Sequence, residues 1–391
     1  MSRLDELIQQ YCPDGVEYKK LGEICLKVCS GGTPSRGNSD YFTGDIPWLR
    51  TQEVDWKDIY DTEIKITEDA VKNSSAKLIP ENCVIIAMYG ATAGKVAINK
   101  IPLTTNQACC NLQINPQKAL YKFVYHWVCN EYEKLKSLGQ GSQNNINAQI
   151  IKEYPIPVPP LPVQEEIVRI LDNFAELQAE LQAELQKRIQ QYNYYRDKLL
   201  SFSDLSNWGG QKVSVEWKKL GDMCKLARGT RVVKKDLATN GIYPVYQNSL
   251  KPLGYYDQFN RAEETTFIIC AGAAGDIGYS KVKFWSADDC FSIICPETIS
   301  NKYIYYCLTS QQNRIYSQVR KASIPRLSHS AVEALTIPIP PLAEQQRIVD
   351  ILDRFDKLTN DITAGLPAEI EARRKQYEYY RDQLLTFKQK A

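Results

Sequence analysis

Along residues 167–202, apolar side chains recur in steps of three and four: Ile167, Ile170, Phe174, Leu177, Leu181, Leu185, Ile189, Tyr192, Tyr195, Leu199 and Phe202. Polar residues fill the intervals, which predicts a long helix with a narrow apolar seam. A second seam runs through Ile348, Ile351, Phe355, Leu358, Ile362, Leu366, Ile370, Tyr377, Tyr380, Leu384 and Phe387. Each seam needs a cover, and the other is the nearest candidate. About 39 residues at ~1.5 Å each give a helix of roughly 58 Å. Gly365, Leu366 and Pro367 interrupt the second pattern and predict a kink or break. Elsewhere the pattern changes to short β-like runs, such as CVIIAMYG (83–90) and TFIICAGAAG (266–275). Gly, Pro and Asn bound these runs, as in compact mixed α/β domains.

The seams belong to a unit written twice. IPVPPLPVQEEIVRILD (156–172) and IPIPPLAEQQRIVDILD (337–353) agree at 11 of 17 positions. YNYYRDKLLSF (192–202) returns as YEYYRDQLLTF (377–387), and VEYKKLGEI (16–24) as VEWKKLGDM (215–223). Between these matched segments the two copies barely agree, so one frame carries two different fillings. The prolines favour polyproline II geometry and a stiff lead-in, with Pro162 suited to a first helical turn. Glu165, Glu166 and Glu344 complement the helix starts.

The expected fold is α+β: two mixed α/β globular domains separated by two long antiparallel helices in a coiled-coil-like spacer, related as a pseudo-two-fold tandem repeat. The expected boundaries are a first domain over 1–155, a first spacer helix over 156–202, a second domain over 203–336 and a second spacer helix over 337–391. The amphipathic start, with Leu4, Leu7, Ile8 and Tyr11, is expected near the last helix.

Composition narrows the function classes. Net charge is +2, which by itself makes no case for nucleic acid. Residues 215–336, however, hold 16 Lys and Arg against 11 Asp and Glu, with the excess clustered at 218–235 and 314–326. Twelve cysteines lack CxxC spacing and only His126 and His329 are histidines, so reduced thiols are expected and a metal is not. No run approaches eighteen apolar residues and MSRLDELIQQ has no signal-peptide core, so a cytoplasmic protein without a membrane segment is expected. Catalytic motifs are missing as well. GATAGKV (90–96) has its glycines too close for a P-loop, and Val96 stands where Ser or Thr would hold magnesium. IPVPPL and IPIPPL lack the Asn or Asp before Pro-Pro, and the following aromatic, of amino-methyltransferases.

The first helix also contains LQAELQAEL (177–185), a tetrapeptide written twice. With IPxPPLxxQ twice, YYRDxLL[ST]F twice and the variable stretches between, nearly the whole chain resembles the specificity (S) subunits of type I restriction–modification enzymes. That resemblance implies two target recognition domains, each reading one half of a bipartite, asymmetric double-stranded DNA site. It implies helices that set the gap and dock two modification (methyltransferase) subunits, with restriction subunits as further partners. It also implies a noncatalytic subunit without a cofactor of its own, S-adenosylmethionine belonging to the methyltransferase. The rival reading is a protein–protein scaffold built on a coiled coil, with no DNA target.

Base reading needs Arg, Lys, Asn and Gln that reach groove edges, and cations for phosphates. In the first domain the candidates are Arg36, Arg50, Gln52, Tyr89 and Lys95, then Gln140, Gln143, Asn144 and Asn145. In the second they are Arg228, Arg231, Lys234, Lys235, Gln247, Asn248, Arg320, Lys321 and Arg326. The polar run of the first domain and the basic run of the second precede IPxPPL by a similar interval. Tyr194 lies about 200° around the helix from Tyr192 and faces away from the seam. Tyr379 occupies the matching place, and the two are candidate anchors for the modification subunits.

Overall fold

The computed structural model describes residues 2–139, 145–202, 214–238, 240–360 and 364–390. Two compact units emerge: unit 1 spans Met1–Glu180 with Glu371–Ala391, and unit 2 spans Leu181–Ile370.

Unit 1 begins with helix α1 (Arg3–Tyr11), closed by a capping box in which Asp5 N donates to Ser2 Oγ and Ser2 N to Asp5 Oδ2. Its strands include β1 (Tyr18–Lys20), β2 (Cys25–Ser30), β3 (Val84–Ala87), β4 (Val96–Asn99), β5 (Cys109–Ile114) and β6 (Pro155–Pro157). The central sheet has the order β2-β5-β3-β4, antiparallel throughout, with Asp58–Ile59 added parallel to β4. Strands β3 and β4 are buried at every position, which is why their residues read as continuous apolar runs. Helix α2 (Tyr121–Asn130) packs Phe123, Val124, Trp127 and Val128 into the core beside this sheet. Helix α3 (Leu161–Ser201) follows β6 and supplies Val163, Ile167 and Leu171 to the same core.

Unit 2 repeats the plan. Its strands include β7 (Glu216–Lys219), β8 (Lys225–Arg228), β9 (Thr265–Ile269), β10 (Ile277–Ser280), β11 (Cys290–Ile294) and β12 (Thr336–Ile339). The order β8-β11-β9-β10 matches β2-β5-β3-β4, again antiparallel. Helix α4 (Asn301–Ser310) corresponds to α2, and helix α5 (Leu342–Asn360) supplies Ile348, Val349 and Leu352 as α3 does in unit 1. Each unit also has a small sheet: Ile46–Leu49 between Lys65–Ile66 and Thr104–Thr105, and Tyr243–Tyr246 between Gly254–Tyr256 and Trp285–Ser286. The fillings that barely match in sequence therefore share one topology.

The two repeated frame segments pair with each other. VEYKKLG supplies β1 and IPVPPL supplies β6, in register Tyr18↔Pro157, Lys19↔Ile156 and Lys20↔Pro155. VEWKKLG and IPIPPL make β7 and β12 in the same way, with Trp217↔Pro338 and Lys218↔Ile337. A two-stranded ladder tolerates alternate prolines because only the intervening residue must donate. The proline lead-in is thus one strand of a two-stranded ladder, where the sequence predicts a stiff polyproline II spacer.

Within each unit the seam residues meet as antiparallel helices require. In unit 1, Phe174 near the start of α3 stacks on Tyr380 of helix α6 (Leu366–Leu384), with ring centroids 5.6 Å apart. In unit 2, Tyr195 near the end of α3 stacks on Phe355 of α5 at 5.7 Å. The second seam does divide into α5 and α6, with Pro367 in the first turn of α6. Ile362 lies outside the described residues. The seam is shallower than predicted, since Ile170 and Leu177 are only half-buried and Leu358 is exposed. The fully buried line at the start of α3 is Val163, Ile167 and Leu171, because that face packs on the helix's own sheet-bearing domain.

Leu4 of α1 lies in one core cluster with Leu385, and Leu7, Ile8, Leu384 and Phe387 pack against it, whereas Tyr11 is exposed. Val16 N donates to Lys388 O at 2.8 Å and Lys390 N to Val16 O at 2.9 Å. Gly15 allows this approach: it has φ +106°, and a Cβ there would meet the Lys388 carbonyl at 2.6 Å. All twelve cysteines are free thiols.

Candidate nucleic-acid interface

In both units several of the predicted reading segments gather at one end of the central sheet. Strand β3 ends in the turn Met88–Gly94, and β9 ends in the turn Cys270–Gly275. Three other segments close on each turn. In unit 1, Thr92 Oγ1 donates to Thr51 O at 2.9 Å, Met88 N to Ala108 O at 2.7 Å and Ile146 N to Met88 O at 2.9 Å. In unit 2, Ala273 N donates to Asn248 O at 2.9 Å, Cys270 N to Asp289 O at 2.8 Å and Leu327 N to Cys270 O at 2.9 Å. The turn, the segment after the small-sheet strand, the segment before β5 or β11, and the run near the domain's end thus form one rim.

Unit 1 brings Gln52, Tyr89 and Asn145 to this rim. Gln52 and Tyr89 are exposed, and Asn145 is half-buried with Oδ1 unpartnered among the described residues. Gln140, Gln143 and Asn144 lie outside the described residues. Arg36 is exposed on the loop after β2. Arg50 and Lys95 are held by acids: the Arg50 guanidinium bonds Glu63 at 2.5 Å and lies 3.6 Å from Glu53, and Lys95 Nζ bonds Asp55 at 2.6 Å. GATAGKV runs into strand β4, whereas a phosphate-binding loop runs into a helix.

Unit 2 presents a more basic rim. There Arg228, Asn248, Arg320, Lys321 and Arg326 are exposed and Gln247 is half-buried, whereas Arg231, Lys234 and Lys235 are exposed on the segment after β8 without a contact that brings them to the rim. The basic run folds back as a narrow loop. Arg320 N donates to Arg326 O at 2.8 Å, Arg326 bridges Ala271, and Gly272 N donates to Pro325 O at 3.2 Å. Arg228 Nε donates to Asp288 O at 3.0 Å, which fixes its stem at the sheet end. Burial pushes the Cys270 thiol up to about 11, against the opposite pull of Arg228 and Arg326 nearby. Cations of this kind suit phosphate oxygens, and the amides and guanidinium groups suit base edges.

Sequence reasoning overlooked the segments before β5 and β11, residues 106–108 and 287–289. The signal was available: Cys109 and Cys290 stand equally far before their IPxPPL segments. It also overlooked what the glutamine of IPxPPLxxQ does. Gln164 is fully buried, donates to Pro159 O at 2.7 Å and Lys118 O at 3.3 Å, and accepts from Leu120 N at 2.9 Å. Gln345 repeats this with Pro340 O, Thr298 O and Ser300 N. Each glutamine ties the start of a spacer helix to the loop leading into α2 or α4. About two turns later Asp172 takes Lys122 and His126, and Asp353 takes Lys302 and Tyr306. In each unit the sheet-bearing domain is thereby hydrogen-bonded to its helix at two levels.

Tyr194 and Tyr379 are 59% and 62% exposed and stand edge-on to Tyr195 and Tyr380 at the same 5.4 Å. Among the described residues no cluster of three or more His, Cys, Asp or Glu is placed to hold a metal ion. No described helix is long and apolar enough to cross a membrane.

Comparison with known proteins agrees with this doubled architecture. The family described as type I restriction modification DNA specificity domain matches twice, over residues 13–191 and 212–372. The EcoR124I/EcoR124II specificity subunit of Escherichia coli is 38% identical over 300 residues, covering 69% of this chain and 72% of that one. A putative type I specificity subunit of Haemophilus influenzae is 31% identical over 402 residues, covering 95% and 96%. The crystal structure of an S subunit from M. genitalium shares the fold, with TM-score 0.63 at 18% identity, covering 95% and 96%. The matches favour a DNA reader over a scaffold for proteins alone. The chain belongs to the type I restriction–modification DNA specificity family and carries that family's domain twice.

Proposed function

We propose that this chain is the sequence-reading subunit of a type I restriction–modification system, with each unit reading one half of a bipartite, asymmetric DNA site. The observation that carries the reading is one rim built twice on one topology but furnished with different side chains. Each rim stands at the same place in its own unit, while the different donors and acceptors select different bases. The antiparallel helices set the gap between half-sites. Tyr194 and Tyr379 each anchor one methyltransferase subunit, so two dock per chain. The chain itself does no chemistry: methyl transfer from S-adenosylmethionine takes place on those partners, and cleavage on restriction subunits where these join.

Selection from randomised duplex DNA by the chain bound to its methyltransferase tests this. Two unlike half-sites at a set gap are expected. Recovery of protein partners with no enriched DNA sequence would favour the scaffold reading.

A further inference from the structure

Two sulfurs of unit 2 meet across its edge strand. Strand β8 has one neighbour in the central sheet, β11, in a register that runs from Arg228↔Phe291 to Lys225↔Ile294. Continued by one residue, that register sets Cys224 opposite Cys295. Cys224 is extended, with φ −123° and ψ 145°, and so carries the strand on. Gly229 N donates to Cys290 O at 3.0 Å, which makes those two a hydrogen-bonded pair of the ladder. Antiparallel pairs alternate, so Cys224 and Cys295 form a non-hydrogen-bonded pair, where side chains stand closest. The Cα separation of about 4.5 Å at such a pair lies within the ~4.4–6.8 Å that a disulfide spans. The two Sγ atoms are 3.1 Å apart, and both residues are free thiols.

Unit 1 lacks the pair. Cys25 follows VEYKKLGEI as Cys224 follows VEWKKLGDM, but its partner across the ladder is Ile114. Its thiol donates to Leu21 O at 3.0 Å, and burial pushes it up to about 12. We propose that Cys224 and Cys295 are a reversible oxidation site of unit 2 whose substrate is a hydroperoxide. Cys224 is buried and Cys295 half-buried, so the oxidant meets Cys295 first. The Cys295 thiolate takes one oxygen of hydrogen peroxide, the O–O bond breaks and hydroxide leaves, giving a sulfenic acid. The Cys224 sulfur then attacks the Cys295 sulfur, and the S–O bond breaks as the S–S bond forms. The sulfurs together give up two electrons, and with the two thiol protons both peroxide oxygens end as water. The disulfide joins positions 71 apart in sequence and fastens β8, which carries Arg228 at its other end, to β11. This chemistry stands independently of the DNA reading.

The test treats the full chain with hydrogen peroxide, quenches by alkylation in denaturant and digests without reductant. A peptide linking Cys224 to Cys295 is expected, both thiols being lost together and both restored by dithiothreitol. Cys25 should remain a thiol at the dose that links the pair. Cys295→Ser should abolish the linked peptide and leave Cys224 alkylated. Cys295 oxidised singly to a sulfinic acid in the unaltered chain would overturn the assignment, as would either cysteine linking to a third. An equal yield of the linked peptide from the chain unfolded in urea would overturn it too, because the pairing would then owe nothing to the fold.

Discussion

Gln164 and Gln345 owe their identity to three simultaneous demands: one acceptor for a loop N–H and two donors for carbonyls, all out of water. Leucine fits the volume and meets none of them. Gln345→Leu strands the Ser300 N–H and the Pro340 carbonyl, and should cost about 1–3 kcal/mol in urea unfolding. A loss under about 0.5 kcal/mol would show that the bonds are incidental. Asp172 offers a test with pH. Burial alone would raise its carboxyl, but the bonds from His126 and Lys122 outweigh that and hold it below the ordinary value. The stabilisation is therefore fully present above the ordinary carboxylate range and is lost as pH falls through the lowered value. Asp172→Asn should destabilise by about 1 kcal/mol at pH 7, the partly exposed pair being screened. The gap from the unaltered chain should close towards pH 3. A gap that stays constant with pH would contradict the ion-pair account.

At the scale of elements, the frame was legible because identical residues do the same job in both units. VE[YW]KKLG must pair with IPxPPL, the glutamine must clasp the loop, and the YYRD rings must meet Phe355 or Phe174. The common topology of the fillings was not legible. Strands such as β3 and β9 need only be apolar and β-branched, so their residues drift while the pairing stays. The clasp between frame segments was hidden for another reason, since its two strands are far apart in sequence. The LQAE tetrad lies on α3 with Leu177, Leu181 and Leu185 half-buried. Four helical residues advance ~6 Å and rotate ~400°, a net ~40°. One base pair turns DNA by about 34–36° and rises ~3.4 Å. Deleting residues 178–181 should therefore shorten the preferred gap by one base pair in the methylated motif. A gap that stays the same would remove the helix as its measure.

For the whole molecule, the site was legible as segments and illegible as a surface. Sequence marked most of the runs that reach the rim. It could not show that Glu63 holds Arg50 or that Asp55 holds Lys95, because those pairs are made across the fold. Docking belongs to this scale too. A Tyr194→Ala/Tyr379→Ala double variant should lose co-purification with the methyltransferase, and each single variant should retain one copy. Full recovery with the double variant would place the docking surface elsewhere. The most direct test of two independent readers on one frame is to replace residues 220–335 with the corresponding stretch of another specificity subunit and sequence the methylated sites. One half-site should change while the other half-site and the gap persist. A motif altered in both halves, or in neither, would contradict it.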